Sequence, residues 1–341
     1  MVKKTWWSIL LAVLLVLVAA CSSGGGGGKS GGSSSGPVTL TYIHGSSETS
    51  ILHMTATHFK EIVERETNGR YKIEIYPAFQ LGNLVESIEM IKNGDVELSG
   101  VILGANYAPE LSFIDLPNSV PTIDAAYKLY AESSFRETVD RILRDNNIEL
   151  LSFGPAFFRE MTSNVPVRTI DDFRGINIRT LENPLHMEYW STLGANPTPL
   201  AWSETYVGLQ QGLVDAQENP YDSIYAAKLY EVQKYVINTH HILYTSPIMA
   251  NKAFFDSLPA EDREIFRKAG KETEKYTFET AKSIVDDLKQ KLIDEGMEVI
   301  DLPEETLNAM KEKAAPVYDS VRKIVGDQIM DDFLKALQEV Q

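Results

Sequence analysis

Residues 38–76 read VTLTYIHGSSETSILHMTATHFKEIVERETNGRYKIEIY. The segments Val38–Ile43 and Tyr71–Tyr76 alternate apolar and polar residues, as half-buried strands do. Between them, apolar residues recur at helical spacing over Ser50–Thr67, and Asn68-Gly69 is a typical helix stop. A strand, a helix and a second strand in this order favour a parallel strand pair.

The alternation of strands and helices continues along the rest of the chain. A helix over Leu84–Lys92 and a strand over Val96–Leu103 complete a first run of three strands. In a second run, Phe157–Ser163 and Gly175–Thr180 are predicted strands, and Pro259 to about Glu295 is predicted to form one long helix. No segment repeats at a short fixed period, which argues against a solenoid. We expect an α/β protein of two lobes, with mainly parallel strands and a ligand cleft at their carboxyl ends.

The composition is that of a folded globular protein. Of 341 residues, 43% are hydrophobic and 23% are charged, and the formal net charge is −16. A chain of this length typically forms about two domains. The acidic balance argues against nucleic acid as the main partner, because phosphate binding needs clustered lysine and arginine. It also argues against direct adhesion to anionic lipid.

The N-terminus has the pattern of a bacterial export signal. Lys3-Lys4 precedes an unbroken apolar run from Ile9 to Ala20, which is too short to cross a bilayer. The run ends in Val18-Ala19-Ala20-Cys21, which resembles the bacterial lipobox, in which the cysteine is diacylated. We expect residues 1–20 to be a lipoprotein signal peptide, with Cys21 anchoring the mature chain on the extracytoplasmic face of the membrane. The alternative is a buried thiol in a signal anchor. Because Cys21 is the only cysteine, the chain has no internal disulfide.

Residues 21–37 form a predicted flexible tether. From residue 22 to residue 37 the sequence contains eight glycines and six serines, which resist ordering and bury little surface. Gly28-Lys29-Ser30 resembles the end of a phosphate-binding loop, but Ser23 stands where the first glycine of that motif belongs. No predicted strand precedes this stretch and no helix-forming run follows it directly, so we exclude a nucleotide site here.

Several stretches of the folded part carry a family resemblance. They are Gln80-Leu81-Gly82, Asp172–Arg179, Leu193–Pro199, Trp202–Tyr206, Leu209–Pro220, Tyr230–Tyr235 and His241. In their order and spacing they resemble the solute-binding subunits of tripartite ATP-independent periplasmic (TRAP) transporters, a family that includes dicarboxylate and sialic-acid receptors. The resemblance covers nearly all of the chain after the tether.

The resemblance implies a periplasmic-binding-protein fold of two α/β lobes around a ligand cleft, with a long helix spanning both lobes. Lobe I is then expected to comprise residues 38–156 and 245–284, and lobe II residues 157–244 and 285–341. The implied protein is a monomeric receptor that closes over a small organic acid and delivers it to the membrane permease. A metal beside the ligand, as in some relatives, has no distinct signature in this sequence, and we expect no cofactor.

Two arginines are the predicted carboxylate-binding residues. Arg179 ends a predicted strand just before the helix start at Asn183-Pro184. A guanidinium there can hold a carboxylate by two parallel hydrogen bonds, and the helix N-terminus adds positive potential. Arg179 matches the family's carboxylate-clamping arginine, and the alternative is a surface arginine paired with Glu182. Arg159 matches a second arginine that often supports the anion, and its alternative role is an ion pair between the lobes.

Three further second-lobe residues match family positions. Asn219 precedes Pro220 at the position of the family's ligand-binding asparagine, although turn chemistry also explains an asparagine there. Trp202 matches an aromatic residue that lines the family's pocket, with a core position as the alternative. Glu218 is expected either to bind a ligand hydroxyl or to stabilise Arg159, and the sequence leaves both roles open.

The candidates in the first lobe rest on weaker patterns. His44 ends the first strand and is either a donor to the ligand or a structural histidine. Gln80 belongs to the Gln-Leu-Gly element, and Asn106 is the only polar candidate in the loop after the third strand. Sialic-acid receptors carry charged side chains in that loop, whereas residues 102–106 here read ILGAN. The uncharged loop favours a smaller or less polar acid.

Two other classes of function compete with this interpretation. After residue 37 the chain contains no Gly-x-Ser-x-Gly motif, no His-Glu-x-x-His motif and no cysteine, so we expect no enzyme activity. A lipoprotein that presents its ligand to a membrane sensor would use the same pocket and stays an alternative. For the ligand, a sugar acid or other monocarboxylate is the favoured interpretation, and a C4-dicarboxylate is the alternative.

Overall fold

A computed structural model describes residues 36–340. The predicted signal peptide, the predicted lipidation site Cys21 and nearly all of the predicted tether lie outside these residues. The strands are, in chain order, β1 (Val38–Ile43), β2 (Tyr71–Tyr76), β3 (Leu98–Ser99), β4 (Ile148–Ser152), β5 (Pro155–Phe158), β6 (Glu160–Ser163), β7 (Asn177–Thr180), β8 (Asn196–Pro199), β9 (Ala216–Asn219), β10 (Tyr235–Asn238), β11 (Leu243–Thr245), β12 (Ile248–Asn251) and β13 (Glu298–Asp301).

The helices are, in chain order, α1 (Ile51–Glu66), α2 (Leu84–Asn93), α3 (Ile123–Tyr127), α4 (Phe135–Asp145), α5 (Pro184–Thr192), α6 (Trp202–Gln210), α7 (Tyr221–Ala226), α8 (Lys252–Ser257), α9 (Ala260–Asp294), α10 (Glu304–Lys313), α11 (Ala315–Val325) and α12 (Asp327–Val340). Short 3₁₀ turns at Pro109–Asp115, Ile170–Phe173 and Leu229–Glu231 and a π turn at Lys128–Glu132 complete the described elements.

The first strand–helix–strand unit forms as its sequence predicts. Ser50 caps α1 by accepting a hydrogen bond from a backbone N–H of the first turn. The helix ends before Asn68 and Gly69, whose φ angles of 51° and 74° are left-handed. β1 and β2 pair in parallel with Leu40 opposite Ile73, and both side chains are buried. Local signals and long-range burial therefore agree in this unit.

Two sheets organise the described residues. The first has five strands in the order β2-β1-β3-β12-β4, and β12 runs antiparallel to both of its neighbours. The second has six strands in the order β13-β10-β6-β9-β7-β8, and β6 runs antiparallel to both of its neighbours. Each sheet is mainly parallel with one reversed strand, which confirms the predicted α/β class and two-lobe fold.

The chain passes between the sheets through an antiparallel ribbon of β5 and β11. β5 leads from β4 of the first sheet into β6, and β11 leads from β10 back into β12. The reversed strands β6 and β12 are thus the ones that directly follow the two ribbon strands in the chain. Gly154, just before β5, has a φ of 62°, and a Cβ there would overlap the carbonyl oxygen of Ser246. Only glycine fits at this crossing.

The long helix α9 packs against both sheets. It begins directly after Pro259 and ends at Asp294, as predicted. It contacts α1 and β4 on the side of the first sheet, and α7 and β13 on the side of the second. Gly270 lies so close to β4 that a Cβ would overlap the carbonyl oxygen of Leu151. The helix therefore braces the two halves of the molecule.

Two of the strands predicted from the sequence have different bounds in the structure. Val96–Leu103 contributes only β3 to the sheet, because the chain leaves the sheet at Gly100 and runs along the cleft. Phe157–Ser163 is divided at Arg159 into β5 and β6, of which β5 pairs in the ribbon and β6 in the second sheet. Apolar residues follow the first break and flank the second, so hydrophobicity alone does not reveal where the pairing partner changes.

The C-terminal helices contact elements from both halves. α11 packs against the 3₁₀ turn Pro109–Asp115 and against α5, and α12 packs against α4. The ring of Phe333 in α12 lies 5.6 Å from Phe135 and 5.5 Å from Phe113, centroid to centroid. Since α4 lies between β3 and β4 in the chain, α12 associates with helices of the first sheet and not with the second sheet alone. The lobe boundaries stay predictions.

Candidate ligand-binding cavity

A cavity of about 320 Å³ lies where the carboxyl ends of strands from the two sheets face each other. Loops after β1, β2 and β3 supply one wall, and β7 and the loops after β7, β8 and β9 supply the other. The lining residues include, on the first wall, Gly45, Ser46, Ala78, Phe79, Val101 and Ile102, and on the second, Arg159, Arg179, Glu182, Trp202, Asn219 and Ser223. Open α/β sheets bind ligands at this edge.

Arg179 places a positive charge on the second wall. Only 3% of its surface is exposed. Its Nε and Nη2 donate hydrogen bonds to the Leu200 carbonyl oxygen at 3.0 and 2.7 Å. Within residues 36–340 it forms no ion pair, not even with nearby Glu182, and its Nη1 makes no hydrogen bond. Burial lowers the pKa of Arg179 to about 10, which leaves the guanidinium charged at neutral pH.

Trp202 and Asn219 flank this arginine, as the sequence predicted for ligand-binding residues. The Arg179 Cζ lies 5.6 Å from the centroid of the Trp202 ring, a cation–π distance. Asn219 ends β9 and donates through Nδ2 to Gln217 Oε1 at 2.7 Å, while its side chain also lines the cavity. Arg179, Trp202 and Asn219 therefore converge on one space, and their contact with a ligand stays a prediction.

Arg159 lines the same cavity but is already paired. Its Nε donates to Glu218 Oε2 at 2.5 Å, and its Nη2 donates to Glu218 Oε1 at 2.9 Å and to the Glu218 carbonyl oxygen at 2.6 Å. Both side chains are buried. Glu218 is not among the cavity-lining residues, so of its two expected roles the geometry favours stabilising Arg159. Arg159 offers hydrogen-bond donors to the cavity without a net charge.

A chain of buried polar groups continues behind Glu218. His241 Nε2 lies 3.0 Å from Glu218 Oε2, and His186 Nε2 lies 3.3 Å from Asp115 Oδ1. Burial opposes ionisation of Glu218, but the Arg159 charge and the histidine contacts hold its pKa well below its usual range. Burial lowers the pKa of His241, whereas the flanking carboxylates outweigh burial and raise the pKa of His186. Glu218 therefore stays a carboxylate that holds Arg159 in place.

None of the three first-lobe predictions is among the residues that line this cavity. His44 is fully buried, with its Nδ1 3.3 Å from the Ser46 backbone nitrogen and its Nε2 3.1 Å from His53 Nδ1. Burial lowers the pKa of His44 to about 3, so the neutral ring accepts the Ser46 N–H and shapes the loop. Gln80 is exposed outside the cavity, and Asn106 lines a space of about 20 Å³ that adjoins the cavity and shares Ile102, Arg159 and Tyr244 with it. His44 and Gln80 have surroundings other than the cavity, and direct ligand contact by these residues and by Asn106 stays a prediction.

Phe79 and Tyr244 also line the cavity, although no sequence pattern singled them out. Tyr244 lies in β11, inside a long apolar stretch that gave no reason to single it out. The stretch from Tyr76 to Phe79 contains no glycine that would suggest a left-handed turn. Nevertheless, Ala78 and Phe79 have left-handed φ angles of 53° and 56°. Left-handed backbone at non-glycine residues is visible only in a structure, and it often marks functional sites.

Between residues 36 and 340 no helix is both long and apolar enough to cross a membrane. The same residues contain no group of three or more histidine, cysteine, aspartate or glutamate side chains placed to hold a metal ion.

The sequence matches the family described as bacterial extracellular solute-binding protein, family 7 (DctP), over residues 42–324. The ectoine-binding periplasmic protein TeaA of Halomonas elongata is 30% identical over 309 residues, which cover 88% of this chain and 90% of that protein. The 2,3-diketo-L-gulonate-binding periplasmic protein YiaO of Escherichia coli is 29% identical over 317 residues, which cover 89% and 92%.

The fold matches solved structures of the same kind. The crystal structure of a TRAP periplasmic solute-binding protein from Haemophilus influenzae with bound L-gulonate gives a TM-score of 0.84 at 29% identity, covering 89% of this chain and 100% of that one. The family match spans most of the chain, and the two sheets and their facing edges follow the same architecture. The chain therefore belongs to bacterial extracellular solute-binding protein family 7, the DctP family of TRAP-transporter solute-binding receptors.

Proposed function

We propose that this receptor captures a monocarboxylic organic acid outside the cell and delivers it to TRAP membrane permease subunits. The observation that carries the proposal is the buried Arg179 guanidinium, which lines the cavity without a carboxylate partner among the described residues. A buried charge is costly unless it is paired, so the site favours an anion that completes the pair. A carboxylate matches the geometry of a guanidinium and accepts its hydrogen bonds.

The charge count of the cavity favours one carboxylate over two. Arg159 and Glu218 neutralise each other, which leaves Arg179 as the uncompensated cation, and Glu182 adds a negative charge at the exposed rim. A C4-dicarboxylate would bring a second negative charge that finds no free cation on the described wall.

The proposed mechanism is closure of the lobes over the ligand. Lobe I is taken as residues 38–156 and 245–284, and lobe II as residues 157–244 and 285–341. The β5–β11 ribbon connects the two sheets, so bending there would close the cavity while α9 keeps the halves together. The ligand leaves chemically unchanged, and material recovered from the denatured complex should equal the material that was bound.

The proposal is tested by titrating the mature protein calorimetrically with monocarboxylic acids and with their primary amides. The amides keep the shape of the acids but carry no charge. We expect at least one acid to bind and its amide to bind at least about tenfold more weakly, because the amide leaves Arg179 unpaired. Equal affinity for an acid and its amide would overturn the proposal.

The cellular role, the lipid anchor and the oligomeric state each have a test of their own. Deletion of the gene should abolish uptake of the labelled ligand, whereas a sensor lipoprotein would change transcription and leave uptake intact. Lipid anchoring through Cys21 is tested by Cys21→Ser, which should move the protein from the membrane fraction to the soluble fraction. Gel filtration of the mature chain is expected to give a monomer.

A further inference from the structure

The first wall of the cavity is almost entirely apolar. Its buried or half-buried side chains are those of Leu52, Phe79, Leu84, Val101 and Ile102. Two polar side chains accompany them. Ser46 is buried, whereas Asn83 is exposed and its Oδ1 already caps α2 by accepting the Glu86 backbone N–H at 3.0 Å. The part of a ligand that faces this wall therefore meets hydrocarbon and one buried hydroxyl group.

The Phe79 ring is held in this wall at a conformational cost. Ala78 and Phe79 are consecutive non-glycine residues in the left-handed region, which is unfavourable for both. Two backbone hydrogen bonds hold the turn, from the Ala78 N–H to the Ser46 oxygen at 2.8 Å and from the Phe79 N–H to the His44 oxygen at 3.1 Å. The ring lies against Gly45, where any Cβ would overlap it. The turn and Gly45 together hold the Phe79 ring where it lines the cavity.

A hydroxyl-rich ligand body fits this wall poorly. Each hydroxyl group that loses water in a closed cleft needs a hydrogen-bond partner, or its desolvation weakens binding. On the second wall, part of the hydrogen-bonding capacity is committed within the protein, since Asn219 donates to Gln217 and Ser223 donates to Asp222. The cavity, at about 320 Å³, also lies at the small end of ligand pockets, which run from roughly 300 to 1,000 Å³.

We infer that the ligand is a monocarboxylate with a compact apolar body, branched-chain or aromatic, that packs on Phe79 while its carboxylate pairs with Arg179. Phe79 is thus a specificity-determining residue. This inference rests on the proposed function and narrows it, since it selects apolar acids over the sugar acids that the sequence favoured. Burial of apolar surface against an aromatic ring supplies affinity, whereas hydroxyl groups at the same wall stay unpaired.

The first test compares four probes on the wild-type mature protein by calorimetric titration. 4-Methyl-2-oxopentanoate and phenylpyruvate represent apolar bodies, D-gluconate represents a sugar acid, and pyruvate carries the carboxylate with almost no body. We expect at least one of the two apolar acids to bind at least tenfold more tightly than D-gluconate and than pyruvate. D-Gluconate binding as tightly as the better apolar acid, or more tightly, overturns the ligand class and leaves the proposed function standing.

The second test uses Phe79→Ala with Leu81→Ala as its matched control. Leu81 lies on the same loop, is 43% exposed and does not line the cavity. Phe79→Ala should weaken binding of the apolar acid at least tenfold and binding of pyruvate less than twofold. Leu81→Ala should change neither affinity. Phe79→Leu should restore part of the lost affinity, because it returns apolar surface. If Phe79→Ala lowered the affinity for the apolar acid and for pyruvate by the same factor, Phe79 would have only a structural role and the inference would be wrong.

Failure of the inference and failure of the proposed function give different results. If none of the four carboxylates binds to wild-type protein, even at millimolar concentration, and none of a wider set of organic acids does, the proposed function itself fails. If carboxylates bind but Phe79→Ala leaves the ratio of apolar acid to pyruvate unchanged, only the assignment of Phe79 fails. Thermal denaturation of each variant shows whether the fold is kept.

Discussion

Arg179 donates two hydrogen bonds to the carbonyl oxygen of Leu200, at 3.0 Å from Nε and 2.7 Å from Nη2. A carbonyl oxygen carries no net charge, so this contact orients the guanidinium without neutralising it. Arg159 shows the contrast, because its two corresponding nitrogens bind the Glu218 carboxylate. Both buried arginines of the cavity are held in place by hydrogen bonds. The charge of Arg159 is compensated by Glu218, whereas the charge of Arg179 is not compensated by any residue that the structure describes. This difference assigns them different roles toward an anion.

Arg179→Ala should weaken binding of the cognate acid by about 2–5 kcal/mol. The variant removes the charge that pairs with the ligand, while the free energy of unfolding should change by less than about 1 kcal/mol, because the lost hydrogen bonds are offset by the loss of a buried cation. Arg179→Lys should bind with intermediate affinity, since an ammonium group lacks the planar two-point geometry. Calorimetric titration gives the affinities.

Arg174→Ala is the control for this experiment. The Arg174 side chain is 80% exposed and its Nη2 lies 3.4 Å from Asp171. The variant removes the same charge from the same lobe, outside the cavity, so its ligand affinity should equal that of wild type. Near-wild-type affinity of Arg179→Ala would contradict the assignment of the carboxylate site.

Glu218→Gln should lower the free energy of unfolding by about 3–5 kcal/mol, because it leaves Arg159 buried without a charge partner. The double variant Arg159→Met/Glu218→Gln should regain much of this loss, since both charges are then gone from the interior. Urea denaturation of the two single variants and the double variant gives the coupling. The double variant should still bind the acid more weakly than wild type, because Arg159 lines the cavity. A single variant as stable as wild type would show that the pair is dispensable.

His44 should make the stability of the protein depend on pH. Burial lowers its folded-state pKa from 6.5 to about 3. Between these values the unfolded chain binds the proton and the folded chain does not, so the free energy of unfolding falls as the pH decreases from about 6.5 toward 3. The slope from this residue approaches about 1.4 kcal/mol per pH unit. His44→Gln should remove this component, so the stability difference between wild type and variant must change with pH. A difference that is constant from neutral pH to about pH 4 would disprove the assignment.

Gly270→Ala should destabilise the protein although alanine favours helices by about 1 kcal/mol over glycine. The added Cβ would overlap the backbone oxygen of Leu151, so α9 must move away from β4, at a cost of about 1–3 kcal/mol or more. Gly208→Ala in α6 is the matched control. Its Cβ would meet the end of the Leu200 side chain at 3.3 Å, which can shift. Urea denaturation should show a loss for Gly270→Ala and no comparable loss for Gly208→Ala.

The local elements and the residue types that converge on the second wall could be predicted from the amino-acid sequence. The caps of α1, the length of α9 and the glycine stops follow from rules that act within a few residues. Arg179, Trp202 and Asn219 could be selected because each matches a position of the family pattern, and Arg179 also ends a predicted strand next to a helix start. Those positions are fixed by chain order, which the sequence contains.

Which arginine lacks a carboxylate partner among the described residues, and which wall of the cavity is apolar, could not be predicted in this way, because both depend on contacts between distant segments. Whether Arg159 meets Glu218 depends on the pairing of β6 with β9, which brings together residues 59 positions apart. The position of Phe79 depends on two left-handed residues and on Gly45 from another loop. Such features arise from long-range pairing and backbone strain, because the energy that maintains them comes from contacts between distant segments and not from local preference.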